Sequence, residues 1–192
     1  MQIITYPHPT LRYSSKTIRR VDAELRRIVK EMFELMYEAK GVGLASTQVD
    51  LPLRFFIVNL ESDATKADEM VFINPVISHA KGSEEAEEGC LSLPGLYGPV
   101  RRPKQVRISA FNLAGEEIRE DATGLLARVV QHEFDHLNGV LFTDRMTDEA
   151  RLKLREEMIE MEQDYHQALD AGEIPSEQII AAGRAEWEKR YC

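Results

Sequence analysis

The run His132-Glu133-Phe134-Asp135-His136 constrains this chain more than any other stretch of it. Two histidines four apart on a helix lie on one face, with their Cβ atoms about 5–6 Å from each other. Two imidazoles so placed can hold one metal ion. Glu133 sits about 100° further round the helix, near enough to reach a water on that ion without being a ligand. This is the layout of a metal hydrolase, in which the ion acidifies water and a carboxylate takes its proton. The surrounding residues agree with a helix from Thr123 to Asn138. Leu125, Leu126, Val129, Val130 and Phe134 are its apolar members, and Gly139 stops it.

A catalytic ion usually takes three protein ligands and keeps one open position. The extended pattern that supplies a third histidine six residues on is excluded, because Phe142 stands there. Two other sources remain open. A carboxylate from a later helix could serve, and Glu149, Glu156 and Glu157 are available. Cys90 is the alternative. A lone internal cysteine is usually a small buried hydrophobe, but this one follows Glu87-Glu88-Gly89 and precedes Leu91-Ser92-Leu93-Pro94-Gly95, which is no apolar run. The other of the chain's two cysteines, Cys192, is the last residue, where order is least expected.

Elsewhere the chain reads as helix, several strands, helix, helix. Asp22 caps a helix running to about Lys40, with Leu25, Ile28, Val29, Met32, Phe33, Leu35 and Met36 on its apolar face. Gly41 to Gln48 reads as a shaped loop of small residues. Leu53–Leu60 and Met70–Ser78 read as strands, the second made irregular by Pro75. Gln105–Asn112 alternates like a half-buried strand, and Ala114-Gly115 turns it into a hairpin. Thr147 to about Leu169 reads as one long charged helix, followed by a tail with a short helix around Trp187. The order suggests an α+β fold, with mixed or antiparallel sheets around a central helix carrying the histidines and with N-terminal and C-terminal helices. With 192 residues, one well-buried domain is expected.

Three segments, in order, resemble the peptide deformylase family. Gly41-Val42-Gly43-Leu44-Ala45-Ser46-Thr47-Gln48 resembles its motif G-φ-G-φ-A-A-x-Q, where φ is apolar; Ser46 departs from it by one hydroxyl. Glu88-Gly89-Cys90-Leu91-Ser92 matches E-G-C-φ-S, and His132 to Gly139 matches H-E-φ-D-H-φ-x-G. The resemblance covers residues 1–146, as a catalytic domain, and fades over 147–192, a charged helical extension expected to pack through Leu152, Leu154, Ile159 or Met161. It implies a hydrolase that removes the N-formyl group from N-formylmethionine of nascent polypeptides. Cys90, His132 and His136 would hold one divalent ion, Fe²⁺ in the cell, with Zn²⁺, Ni²⁺ or Co²⁺ able to replace it. Water on that ion would attack the formyl carbon with Glu133 as base and then acid, and the Gln48 amide and Leu91 N–H would hold the oxyanion.

The same resemblance outlines a substrate cleft. Val42, Gly43, Glu88 and Gly89 would contact the substrate, with the backbone of Gly43 and Gly89 pairing to the peptide, and Leu125, Val129 and His132 would border a slot for the methionine side chain. Arg128, where the family often has an apolar residue, is expected to wall that slot with its stem while its charge reaches water. Arg102 is expected to pair with Glu88 and is otherwise a solvent charge, like Arg101. Met1 to Pro7 lacks the basic start and apolar core of a signal peptide, so a cytoplasmic protein is expected. A formal charge of −9 without an obvious basic patch argues against nucleic acid as a partner, and no apolar run approaches a membrane span. Transient ribosome contact is left to the tail.

Overall fold

Strand patterning decides the architecture. In the computed structural model, which describes residues 1–66 and 68–192, helix α1 (Ala23–Glu38) is followed by strands β1 (Gly43–Ala45), β2 (Phe55–Val58) and β3 (Met70–Lys81). Next come β4 (Glu84–Cys90), β5 (Leu93–Arg102), β6 (Gln105–Phe111) and β7 (Glu117–Thr123), then helices α2 (Gly124–His136), α3 (Asp148–Leu152), α4 (Arg155–Asp170) and α5 (Glu177–Tyr191). Two antiparallel sheets result, one of five strands in the order β1-β2-β3-β6-β7 and one of two, β4-β5. The fold is α+β, as expected.

The five-stranded sheet is covered on both faces, and side-chain alternation shows how. Phe55 and Ile57 of β2 join the cluster built on α1 with Leu25, Ile28, Met32 and Met36. Phe56 and Val58, between them, join the cluster built on α2 with Ala127, Val129 and Val130. Leu44 and Ala45 divide in the same way, as do Ile73 and Phe72. A third cluster joins Leu93, Leu96 and Val100 of β5 to Ile4, Leu11, Leu141 and Phe142. The Asp22 side chain caps α1 by accepting the Leu25 N–H at 3.0 Å. Pro75 does make β3 irregular, with the register shifting between Ile73 and Val76.

Several expectations change. The small-residue segment is only partly a loop: Gly43–Ala45 forms the edge strand β1 and Ser46–Val49 a 3-10 turn. The stretch around Cys90 forms a hairpin of two strands. Its acidic first strand hides the pattern, but Leu96, Gly98, Val100 and Arg102 point inward on β5 while their neighbours are exposed. The expected long helix from Thr147 is broken at Lys153-Leu154, where i→i−3 bonds to Ala150 and Arg151 tighten the chain. Leu154, Met158 and Met161 then pack on the third cluster, while Leu152 (64% exposed) and Ile159 (39% exposed) do not.

The C-terminus also departs from expectation. α5 is a full helix, and Tyr191 at its end is 1% exposed within the α1 cluster. Its hydroxyl donates to Asp22 at 2.9 Å, the residue that caps α1, and its carbonyl accepts the Arg19 N–H at 2.8 Å. Cys192 packs against the same cluster rather than fraying, and both cysteines are free thiols. Tyr191→Ala should therefore destabilise the whole fold by about 3 kcal/mol in urea unfolding. A loss below about 1 kcal/mol would show that α5 is a detachable appendage.

Candidate active site

α2 sets the site. Gly124, at φ +56°, turns the chain out of β7 into the helix, and Gly139, at φ +71°, takes it away past the end. Ala127, Val129 and Val130 bury one face on the sheet, which fixes how His132 and His136 point. Their Nε2 atoms stand 3.2 Å apart, and Cys90 Sγ is 3.2 Å from His136 Nε2. Cys90 arrives from the other sheet, at the register shift that ends β4. The three donor atoms lie within 4.8 Å of one another, the one such group among the described residues. Glu149, Glu156 and Glu157 are exposed and stand outside it.

This donor set fits a borderline or soft divalent ion. The two ring nitrogens, 3.2 Å apart, and the sulfur beside them converge closely enough for one shared cation to accept a lone pair from each. Burial is the main cause that pushes His136 well below its usual range.

Glu88 orients His132. Its carboxylate receives Arg102 Nε at 2.7 Å and Nη2 at 2.9 Å, Arg128 Nη1 at 2.6 Å, and pairs with His132 Nδ1 at 3.1 Å. Burial alone would raise this carboxyl, but the hydrogen bonds from His132 and Arg102 outweigh it and hold Glu88 down to about 2. Arg102 also donates Nη1 to Asp135 at 2.7 Å, and Arg145 grips the same carboxylate with Nη2 at 2.6 Å. The Arg102–Glu88 pair was expected, but Arg102 is 4% exposed and is no solvent charge beyond it. Arg128 differs more: its guanidinium does not reach out to water but bonds Glu88 and the backbone carbonyls of Val100 (3.1 Å) and Glu84 (3.2 Å).

Gln48 points at the same place. Its Oε1 accepts the Ala45 N–H at 2.8 Å, so its Nε2 is left to donate, toward Ser92 Oγ at 3.2 Å and Cys90 Sγ at 3.5 Å. Glu133 lies buried across the site, and burial pushes its carboxyl up to about 7 against the pull of His132 and Arg102. Its Oε2 has no hydrogen-bond partner. A Cβ on Gly43 would fall 2.6 Å from Glu133 Oε1 and 2.9 Å from Val129 Cγ1, so glycine is what lets β1 pass this close.

A cleft of about 700 Å³ opens over these groups. Val42, Gly43, Gln48, Glu88, Gly89, Cys90, Leu91, Leu125, Arg128, Val129, His132 and Glu133 all line it, so the residues singled out by sequence are brought together; His136 is buried behind them. Leu125 is 54% exposed and borders the mouth, whereas Val129 is buried deeper. Lys40, Glu87, Leu96 and Tyr97 line it as well. Of these, Lys40 and Glu87 had no signal in the sequence. Ser92 and Asp135, which join the network, could have been found as fixed members of the second and third motifs.

The family model for polypeptide deformylase matches residues 1–152. The chain belongs to the polypeptide deformylase family. It is similar to a peptide deformylase of Rhodopirellula baltica, 48% identical over all of this chain and 95% of that one, and to one of Neisseria gonorrhoeae, 43% identical over 81% and 93%. Among solved structures it is similar to a plant peptide deformylase (TM-score 0.85, 39% identity, 92% of this chain and 95% of that one). One from Plasmodium falciparum is similar too (TM-score 0.84, 40% identity, 86% and 98%). As a deformylase the chain is a hydrolase that removes the N-formyl group from nascent peptides. Among the described residues no helix is long and apolar enough to cross a membrane.

The Glu88 network has a pH signature. Because the folded carboxyl lies near 2, below its ordinary 4.5, its contribution is fully present above about pH 4.5 and is lost as pH falls toward 2. That contribution is on the order of 3 kcal/mol. Stability of Glu88→Gln should therefore fall less steeply than the parent's across this window in denaturant titrations. Equal slopes would mean that the network does not hold the carboxylate ionised.

Proposed function

We propose that deformylation here uses one divalent ion held by Cys90, His132 and His136, with Fe²⁺ the resident ion and Zn²⁺, Ni²⁺ or Co²⁺ competent to replace it. The convergence of these three donors beside a buried carboxylate supports the reading best. When bound, the ion supplies Lewis acidity. Every other part comes from the chain. Glu133 takes a proton from the attacking water as its oxygen bonds the formyl carbon. The same carboxyl then passes the proton to the departing amine as the C–N bond breaks, leaving formate and a free N-terminus. Burial pushes this carboxyl upward, in the direction that favours taking and returning a proton near neutral pH. The Gln48 Nε2 and Leu91 N–H donate to the formyl oxygen as its charge grows, each contribution being on the order of 10²–10³ in rate.

The substrate is N-formylmethionyl peptide, bound as an added strand. β1 lies at the edge of its sheet and β4 pairs with β5 alone, so Val42-Gly43 and Glu88-Gly89 offer two backbone edges to a peptide lying between them. Val129 and Leu125 border the methionine slot, beside the His132 ring and the Arg128 stem. The reading places the chain in the cytoplasm, where such peptides emerge, with transient ribosome contact and without DNA.

Glu133→Gln separates binding from chemistry. The variant should retain one ion per chain, measured by metal analysis, and lose at least about 10²-fold in turnover of formyl-Met-Ala-Ser. Turnover near the parent's would remove Glu133 from the reaction.

A further inference from the structure

The donors assigned to the ion come from two separate units. His132 and His136 belong to α2, packed on the five-stranded sheet, and Cys90 ends a strand of the two-stranded sheet. Among the described residues no strand ladder joins the sheets. Beyond the two-residue connections to β3 and β6, their mutual placement draws on side chains that cross from α2 to the hairpin.

Two arginines cross in opposite directions. Arg102 starts on β5 and reaches Asp135 of α2. Arg128 starts on α2, one turn before His132, and reaches three points on the hairpin: Glu88 Oε1 at 2.6 Å and the carbonyls of Val100 and Glu84 at 3.1 and 3.2 Å. One planar guanidinium thus ties both strands of the hairpin to the helix. Glu88, its carboxylate partner, lies two residues from Cys90 and pairs with His132. Neither Val100 nor Glu84 lines the cleft, so an arginine present only to contact substrate would have no need of their carbonyls.

We propose that Arg128 is a positioning residue that holds Cys90 in register with His132 and His136, acting through Glu88 and the hairpin backbone. This rests on the metal reading above. Loss of such outer partners typically weakens a metal site 10–100-fold. A positioning role also differs from a role in choosing substrate: it acts on the ion before any peptide arrives.

The test uses nickel-loaded full-length protein chased with excess EDTA, with Ni²⁺ release followed in time, for the parent, Arg128→Met and Arg128→Lys. Arg128→Met, which keeps an apolar stem of similar reach, should release Ni²⁺ at least about tenfold faster. Arg128→Lys keeps the charge but not the fork, and should recover part of the loss. Release from Arg128→Met within twofold of the parent, with or without a lower unfolding midpoint, would overturn the proposal. So would altered peptide preference with unchanged release, which would assign Arg128 to substrate choice. A parent that fails to hold one ion per chain would instead overturn the metal reading, and this inference with it.

Discussion

A carboxylate has room for about four hydrogen bonds, and the one on Glu88 is engaged four times: by two nitrogens of Arg102, by one of Arg128 and by the His132 ring. It is buried, so each partner matters. Removing one member of a buried charged network leaves an uncompensated group and typically costs about 3–5 kcal/mol. Through these bonds one side chain fixes the ring direction of His132, anchors the strand that ends in Cys90 and pairs with two arginines at once. Asp135 plays the complementary part from the helix, receiving Arg102 and Arg145. The ionic layer between α2 and the hairpin is continuous, and the cleft opens along its edge.

The apolar packing does a different job. The five-stranded sheet is held between α1 and α2 by residues that alternate strictly along β2, and this makes α2 a rigid bar. β1 runs past Glu133 so closely that only glycine fits at position 43. The 3-10 turn that follows presents Gln48, whose amide is set by the Ala45 N–H. Rigid helix, close-passing edge strand and ion-paired hairpin thus each contribute one side of the site.

Much of this was legible in the sequence, for identifiable reasons. α1 has a capping aspartate and a full apolar face. α2 carries its chemistry at helical spacing, so its face and its function agree. β6 alternates cleanly, and Val106, Ile108 and Ala110 are the buried set, as read. What escaped depends on contacts between distant segments. β4 is acidic and mostly exposed, and no local pattern marks it as a strand; its pairing with β5 does. The break at Lys153-Leu154 follows from Leu154 turning onto a cluster built by β5. Tyr191 and Cys192 are ordered because α5 folds back to the residue that caps α1. Arg128 looked like a snorkelling side chain because its partners, two backbone carbonyls and a buried carboxylate, lie 28 to 44 residues away.

The central claim is that a thiolate and two imidazoles from separate structural units meet on one ion. X-ray absorption at the metal edge of the zinc-loaded protein tests it most directly. The account predicts one sulfur scatterer at about 2.3 Å with nitrogen or oxygen neighbours at about 2.0–2.1 Å, and loss of the sulfur contribution in Cys90→Ser. A first shell of nitrogen and oxygen alone in the parent, or a sulfur signal that survives Cys90→Ser, would contradict it.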